Sequence, residues 1–386
     1  MKRRLIAAFV IGFWSHASLS ATDAETDIRL QKIEDRLNLI DDREAYMNEN
    51  LHKSMSVSGY ADAAFAVDSR KDVNPSFQVH HLSLFFTQDI SRHWNFFSEI
   101  EFEDAPQFEG TDPITVWDCG ADNICGNGDD TQTTINTLSS GQGKIFAEAV
   151  NMNLKWRPTA NFRIGRFFTP AGIWSIDHYP PFVATQLRPK HIRKIFPQTT
   201  DGLMFYGIAS LLNHFLSYDF YIGNGEGNAA SVDMNTNKAA GLRLEMDLPF
   251  FHETTVGTSY YQEIMNDETD KTATGLHAKI RDGGYEIQTE YAEASLKPAT
   301  GNPYHRRGYY VQGQYRWMDW SIGLRHDYYD QNTGLDTAET TRSIFGSYYI
   351  NQDMNIKLEH HIVELADPGS EDYNTTILSL NANLGN

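Results

Sequence analysis

Gly241-Leu242-Arg243-Leu244-Glu245-Met246-Asp247-Leu248 alternates polar and apolar residues without a break. Successive side chains on a strand point to opposite faces, so this segment has one apolar face and one charged face. A short link, 249–252, leads into a second strand-like run at 253–263. The texture recurs toward the C-terminus. Trp320, Ile322 and Leu324 alternate with Ser321, Gly323 and Arg325. Ile356, Leu358 and His360 alternate with Asn355, Lys357, Glu359 and His361, and Leu378, Leu380, Ala382 and Leu384 with Ser379, Asn381 and Asn383.

Working outward, sixteen such segments are expected: 57–67, 77–88, 94–103, 144–156, 162–168, 202–209, 215–222, 238–248, 253–263, 273–281, 284–294, 307–317, 319–329, 342–350, 354–363 and 374–384. The links between them fall into two classes. Even-numbered links are short, among them 90–93, 249–252, 282–283 and 351–353. Odd-numbered links are mostly longer and polar, and two, 104–143 and 169–201, are very long. Short turns at one end and long loops at the other are the pattern of an outer-membrane β-barrel. A sandwich or propeller has no reason to sort its loops by parity. Of the tryptophans, Trp94, Trp156, Trp317 and Trp320 sit at strand ends beside short turns. Tyr260, Tyr261, Tyr291, Tyr309, Tyr328 and Tyr329 gather near the opposite ends. Two aromatic belts are expected of a membrane barrel. The fold expected is all-β, a 16-stranded antiparallel transmembrane barrel over 56–386, preceded by a short α-helical coiled coil.

The N-terminus reads as a signal peptide over 1–20. Lys2, Arg3 and Arg4 precede an apolar run from Leu5 to Trp14, and small residues follow up to a cleavage site after Ser20. The apolar run is too short for a membrane anchor. Segment 21–55 carries a heptad pattern, with Leu30, Leu37, Glu44 and Leu51 at one position and Ile33, Ile40 and Met47 at the other. Leu and Ile in that arrangement favour three or four helices over two. A lone amphipathic helix is the alternative. Asp and Glu outnumber Lys and Arg by 51 to 32, which argues against a nucleic-acid partner.

The stretches Gly59-Tyr60-Ala61-Asp62-Ala63-Ala64-Phe65 and His93-Trp94-Asn95-Phe96-Phe97-Ser98-Glu99-Ile100-Glu101-Phe102 resemble the first strands of Gram-negative outer-membrane porins. Gly165-Arg166-Phe167-Phe168-Thr169-Pro170-Ala171-Gly172 is similar to the strand-to-loop entry of barrels like the phosphate-selective porins. The resemblance covers roughly 30–386, counting the coiled coil that precedes some such barrels. It implies a homotrimeric outer-membrane channel for small hydrophilic solutes, with anions such as phosphate preferred, set among outer-membrane lipid and lipopolysaccharide. One departure is the C-terminus, Leu384-Gly385-Asn386, where such chains often end in an aromatic residue.

A barrel of this size leaves an aqueous lumen unless something fills it. Lumen-facing positions are expected at Glu99, Glu101, Arg163, Arg243, Arg316 and Arg325, with Glu245, Lys279, Glu286, Glu290 and Lys357 on the same side. The third long loop closes with Arg188-Pro189-Lys190-His191-Ile192-Arg193-Lys194. Arg188, Lys190, Arg193 and Lys194 read either as a pore constriction that holds anions or as an external patch for lipopolysaccharide phosphates or neighbouring subunits. Cys119 and Cys125 are expected to form a disulfide, with calcium among the nearby carboxylates as the alternative. His80-His81 and His360-His361 are adjacent on strands. Neighbours face opposite ways, so neither pair is expected to chelate one metal. No cofactor is expected, and no metal. Neither Gly-x-Ser-x-Gly nor His-Glu-x-x-His occurs, so a barrel enzyme is disfavoured. The rival to a channel is a structural or adhesive barrel tethered through its coiled coil.

Overall fold

The computed structural model describes residues 55–385, less 72, 105–107, 119–130, 141–142, 212–213, 227–232, 234 and 249–252. The expected signal peptide, the heptad helix (apart from Met55) and both cysteines, Cys119 and Cys125, lie outside the described residues.

All regular structure among the described residues is strand. The order is β1 (Ser56–Asp68), β2 (Ser76–Asp89), β3 (Trp94–Glu103), β4 (Phe108–Asp118), β5 (Thr131–Ser140), β6 (Lys144–Arg157), β7 (Ala160–Phe168), β8 (Thr199–Leu211) and β9 (His214–Gly223). There follow β10 (Ala239–Leu248), β11 (Glu253–Ile264), β12 (Asp270–Asp282), β13 (Tyr285–Lys297), β14 (Tyr304–Trp317), β15 (Trp320–Asp330), β16 (Ala338–Tyr349), β17 (Met354–Leu365) and β18 (Tyr373–Leu384). Sixteen of these close into one antiparallel barrel, with β1 paired to both β2 and β18 and β3 paired directly to β6. The expected 16-stranded antiparallel barrel is the observed one, and the coiled coil expected before it lies outside the described residues.

The link 104–143 is not a plain loop. It holds β4 and β5, which pair only with each other. Their register sets Ile114 against Ile135, Thr115 against Thr134 and Val116 against Thr133. β-Branched residues of this kind favour extended pairing, and a hairpin needs no place in the barrel wall to form.

The wall is polar inside and apolar outside. In β15, β12 and β17, Ile322, Leu324, Leu276 and Leu358 are each more than half exposed. On the inner face Ser83, Glu99, Glu101, Lys271, Glu359 and Asn381 are fully buried. Burying a leucine is worth roughly 1.5–3 kcal/mol, so an outer wall of leucines is untenable in water and stable against hydrocarbon. Trp94, Trp156, Trp317 and Trp320 are exposed beside the short turns. At the other end the tyrosines divide by parity. Tyr309 and Tyr328 stack at 5.4 Å on the outer face. Tyr261 and Tyr329 are buried on the inner face, so only part of the expected tyrosine group belongs to a belt.

Two bulges break the two-residue period where it matters for the lumen. Between β1 and β2, Asp62 pairs with His81 while Ala63 pairs with Val79, leaving His80 as the extra residue. Between β3 and β6, Glu99 pairs with Ala149 while Ile100 pairs with Ala147, leaving Glu148 as the extra residue. A bulge re-aims a side chain that simple alternation would send to the other face.

Candidate constriction site: the third long loop inside the barrel

Residues 169–198 leave β7 and return at β8. Their ends are clamped by Thr169 N–H donating to Gln198 O at 3.0 Å and by a hydroxyl pair, Thr169 Oγ1 and Thr200 Oγ1, 2.8 Å apart. Between those points the loop runs through the lumen and is bonded to wall strands on many sides.

Its entry is a tight turn. Gly172 has φ +57°, and a Cβ there would stand 1.7 Å from Glu290 Oε2. Glycine meets both conditions without strain, since Glu290 is itself held by the Trp174 N–H and the Tyr310 hydroxyl. The Gly172 N–H donates to Ser259 Oγ at 3.2 Å, and its carbonyl accepts from Arg243 Nε at 3.1 Å. The Trp174 N–H then donates to Glu290 Oε1 at 2.9 Å, and the buried Trp174 ring packs with Ile192 and Tyr310.

The middle of the loop crosses to the far wall. Tyr179 Oη donates to Glu99 Oε2 at 3.2 Å, and its ring lies 5.5 Å from Tyr60. Lys357 Nζ donates to the carbonyls of Pro180 at 2.5 Å and Val183 at 2.6 Å. The N–H groups of Gln186 and Leu187 donate to the two oxygens of Glu359, at 2.5 and 3.3 Å. Arg325 donates to Thr185 Oγ1 and, at 2.8 Å, to Leu187 O. Prolines at 180, 181 and 189 lack an N–H to donate, and wall side chains supply donors to nearby loop carbonyls such as those of Pro180 and Val183.

The four loop cations have separate fates. Lys190 pairs with Glu339 at 3.0 Å, and Arg193 with Glu148 at 3.4 Å. Arg188 and Lys194 have no ion pair among the described residues. Burial, with Arg188 beside it, draws the Arg193 guanidinium down to about 10, still charged at neutral pH. Burial holds His191 down to about 3 and His178 well below the usual histidine range, so both are neutral.

Arg188 and Lys190 line a cavity of about 280 Å³ at the long-loop mouth, together with Arg70, Arg325, Asp68, Asp327, Glu339 and Tyr373. Arg70 is paired with Asp68 at 2.8 Å and Arg325 with Asp327 at 2.8 Å. With Lys190 held by Glu339, Arg188 is the cation left over. Glu99, Glu101 and Glu148 converge within 4.8 Å of one another, and Arg193 of the loop pairs with Glu148.

The remaining expected positions divide by depth. Glu99 and Glu101 lie at the depth of the loop, and Arg243 holds its entry. Arg163 donates to Asn153 Oδ1 at 2.6 Å away from the loop. Arg316 is exposed at the short-turn rim, 4.1 Å from the Tyr349 ring. Asp62 and Glu148 carry no signal of a site in the sequence. His80 was expected to face away from His81, and the bulge overturns this, since the two Nδ1 atoms lie 3.0 Å apart on one side. His360 and His361, with no bulge, do diverge. His361 is buried against Glu359, and His360 bonds Thr376 on the outer side.

A family model described as Gram-negative porin matches residues 198–362. An uncharacterized protein of Aquifex aeolicus is 22% identical over 304 residues, which is 68% of this chain and 62% of that one. The chain thus spans less than two thirds of that relative. Among solved structures, an anion-selective porin from Comamonas acidovorans superposes with TM-score 0.58 at 12% identity, covering 86% of this chain and 99% of that one. OmpF of Salmonella typhi, solved with daunomycin, gives TM-score 0.56 at 12% identity over 85% and 97%. A loop-deletion form of the outer membrane protein OmpT of Vibrio cholerae gives 0.56 at 10% identity over 86% and 99%. The barrel thus has the fold of these solved outer-membrane proteins, and its segment 198–362 matches the Gram-negative porin model.

Proposed function

We propose that the protein is a passive diffusion channel of the outer membrane for small hydrophilic solutes, narrowed by loop 169–198 and favouring anions. The observation that carries this reading is the loop's course through the lumen with Arg188 unpaired at the edge of an open cavity. Low-dielectric walls focus the field of such a charge, which enriches anions locally. A guanidinium offers two parallel donors, which suits phosphate or carboxylate. The shared fold with an anion-selective porin is in keeping with it. Lys190 and Arg193 contribute less because each has a carboxylate partner.

The working unit of this proposal is a homotrimer embedded among lipopolysaccharide, with 1–20 removed on export, 21–55 forming a periplasmic helical bundle and 56–386 the barrel. Cys119 and Cys125 are joined in the exported form. The test is purified protein in planar bilayers, with reversal potentials in asymmetric KCl. Wild type should conduct and select anions, and Arg188→Gln should select them less. A protein that inserts without conducting refutes the channel. An equal preference in wild type and Arg188→Gln at low salt refutes the role of Arg188.

A further inference from the structure

Asp62, His80 and His81 meet in the lumen because of the bulge in β2. His81 Nδ1 lies 2.8 Å from Asp62 Oδ1 and 3.0 Å from His80 Nδ1, and His80 Nδ1 lies 3.7 Å from Asp62 Oδ2. The two rings meet edge to face with centroids 4.0 Å apart. Two imidazole nitrogens and one carboxylate therefore converge on a single small volume. Four ligands at about 2.0–2.1 Å around a tetrahedral ion stand about 3.3 Å from one another, and these three distances bracket that value.

We propose that Asp62, His80 and His81 form a binding site for a divalent transition-metal ion in the lumen, where it would fasten loop 169–198 to the wall. Neutral imidazole and carboxylate together suit zinc, copper or nickel better than calcium or magnesium. Gln186, on the loop, already reaches both Asp62 Oδ2 at 2.5 Å and His80 Nδ1 at 3.3 Å through its amide. The amide's other atom, Oε1, is buried without a partner. Turning that amide over would offer an oxygen as fourth ligand from the loop side. The Nε2 of His81 faces Glu103 Oε1 at 3.9 Å, the kind of carboxylate that orients a metal-bound imidazole. Asp62 and His81 are buried, while the His80 side chain is 37% exposed, so an ion has a way in from the lumen.

The experiment uses full-length, untagged protein with CuCl₂ as the spectroscopic probe and ZnCl₂ as the functional one. Copper should bind one per chain, with an electron paramagnetic resonance spectrum showing two equatorial nitrogens. His80→Ala and His81→Ala should each remove one nitrogen and weaken binding at least about tenfold. In bilayers, micromolar zinc should change single-channel conductance reversibly with EDTA, and Gln186→Ala should reduce that response. Heat-modifiable gel mobility identifies variants whose barrel has not formed. His80→Ala is the decisive one, since its side chain is partly exposed. Copper affinity and nitrogen count unchanged in a folded His80→Ala protein would overturn the proposal, leaving the three residues as a hydrogen-bonded cluster.

Discussion

Arg325 Nη2 donates to the carbonyl of Leu187 at 2.8 Å, while its Nε is held by Asp327 at 2.8 Å. One wall guanidinium, aimed by a carboxylate two residues away on the same strand, grips the peptide next to Arg188. The position of the free cation is therefore set by buried wall groups, and these are the places to perturb it.

Lys357→Met should loosen the loop without harming the barrel. The substitution deprives the carbonyls of Pro180 and Val183 of their donor. A buried acceptor left unsatisfied costs about 1–3 kcal/mol. Single-channel recordings should show a larger and noisier conductance, and trypsin should cut after Lys190, Arg193 and Lys194 faster than in wild type. Identical recordings and digestion would show that the loop does not depend on this lysine.

Charge changes at the cavity should move selectivity in opposite directions. Arg188→Gln removes the cavity-lining cation that has no ion pair among the described residues and lowers the anion-to-cation permeability ratio. Glu339→Gln frees Lys190 from its 3.0 Å partner and raises it. Both effects should shrink from 0.1 M to 1 M salt, where the screening length falls from about 10 to 3 Å. Shifts of the same sign in the two variants would contradict the electrostatic account.

Acid should unseat the loop. An unfolded or released histidine protonates near 6.5, whereas His191 in place protonates only at about 3. The released loop then binds more protons between these values, so the seated state loses stability as pH falls below about 6.5. At pH 5 the loss is about 2 kcal/mol for His191, with His178 adding in the same direction. Trypsin-like cleavage assays are impractical there, so the readout is conductance noise at pH 7 against pH 5, with His191→Phe expected to flatten the difference. Noise independent of pH in wild type would refute it.

Gly172→Ala should be costly and Gly283→Ala mild. Both glycines have left-handed φ, at +57° and +56°, which costs an alanine about 1–2 kcal/mol. A Cβ at Gly283 meets nothing within 4 Å, while one at Gly172 meets the Glu290 carboxylate. Thermal unfolding of detergent-solubilised protein should show the larger drop for Gly172→Ala, with altered conductance only there. Equal drops would mean that the loop entry has room to shift.

The barrel was readable because its period is two and its links alternate in length. Leu242, Leu244 and Met246 repeat against Arg243 and Glu245, and that pattern alone assigns the faces of β10. The loop's basic cluster was also visible as a run of charges. Which of those charges stays free was not, because Glu339 and Glu148 are far away in sequence from Lys190 and Arg193. The bulges were the other blind spot. Alternation sends His80 outward, and inserting one unpaired residue reverses it, yet nothing in the run Gln78-Val79-His80-His81 marks where the insertion falls. The hairpin of β4 and β5 was hidden by the polar, glycine-rich sequence between its strands.

The seam between β1 and β18 also governs when this protein can form. Thr375 Oγ1 donates to Asp68 Oδ2 at 2.7 Å across a gap of 307 residues, and the register runs along the seam from Gly59 and Leu384 to Asp68 and Thr375. Until β18 has been synthesised, β1 and whichever strand was made last both offer unpaired backbone edges, and such edges invite pairing with other chains. Closing so distant a contact is also slow. The open edges of the growing chain must therefore be kept from those of its siblings, and closure of the barrel waits on its last dozen residues.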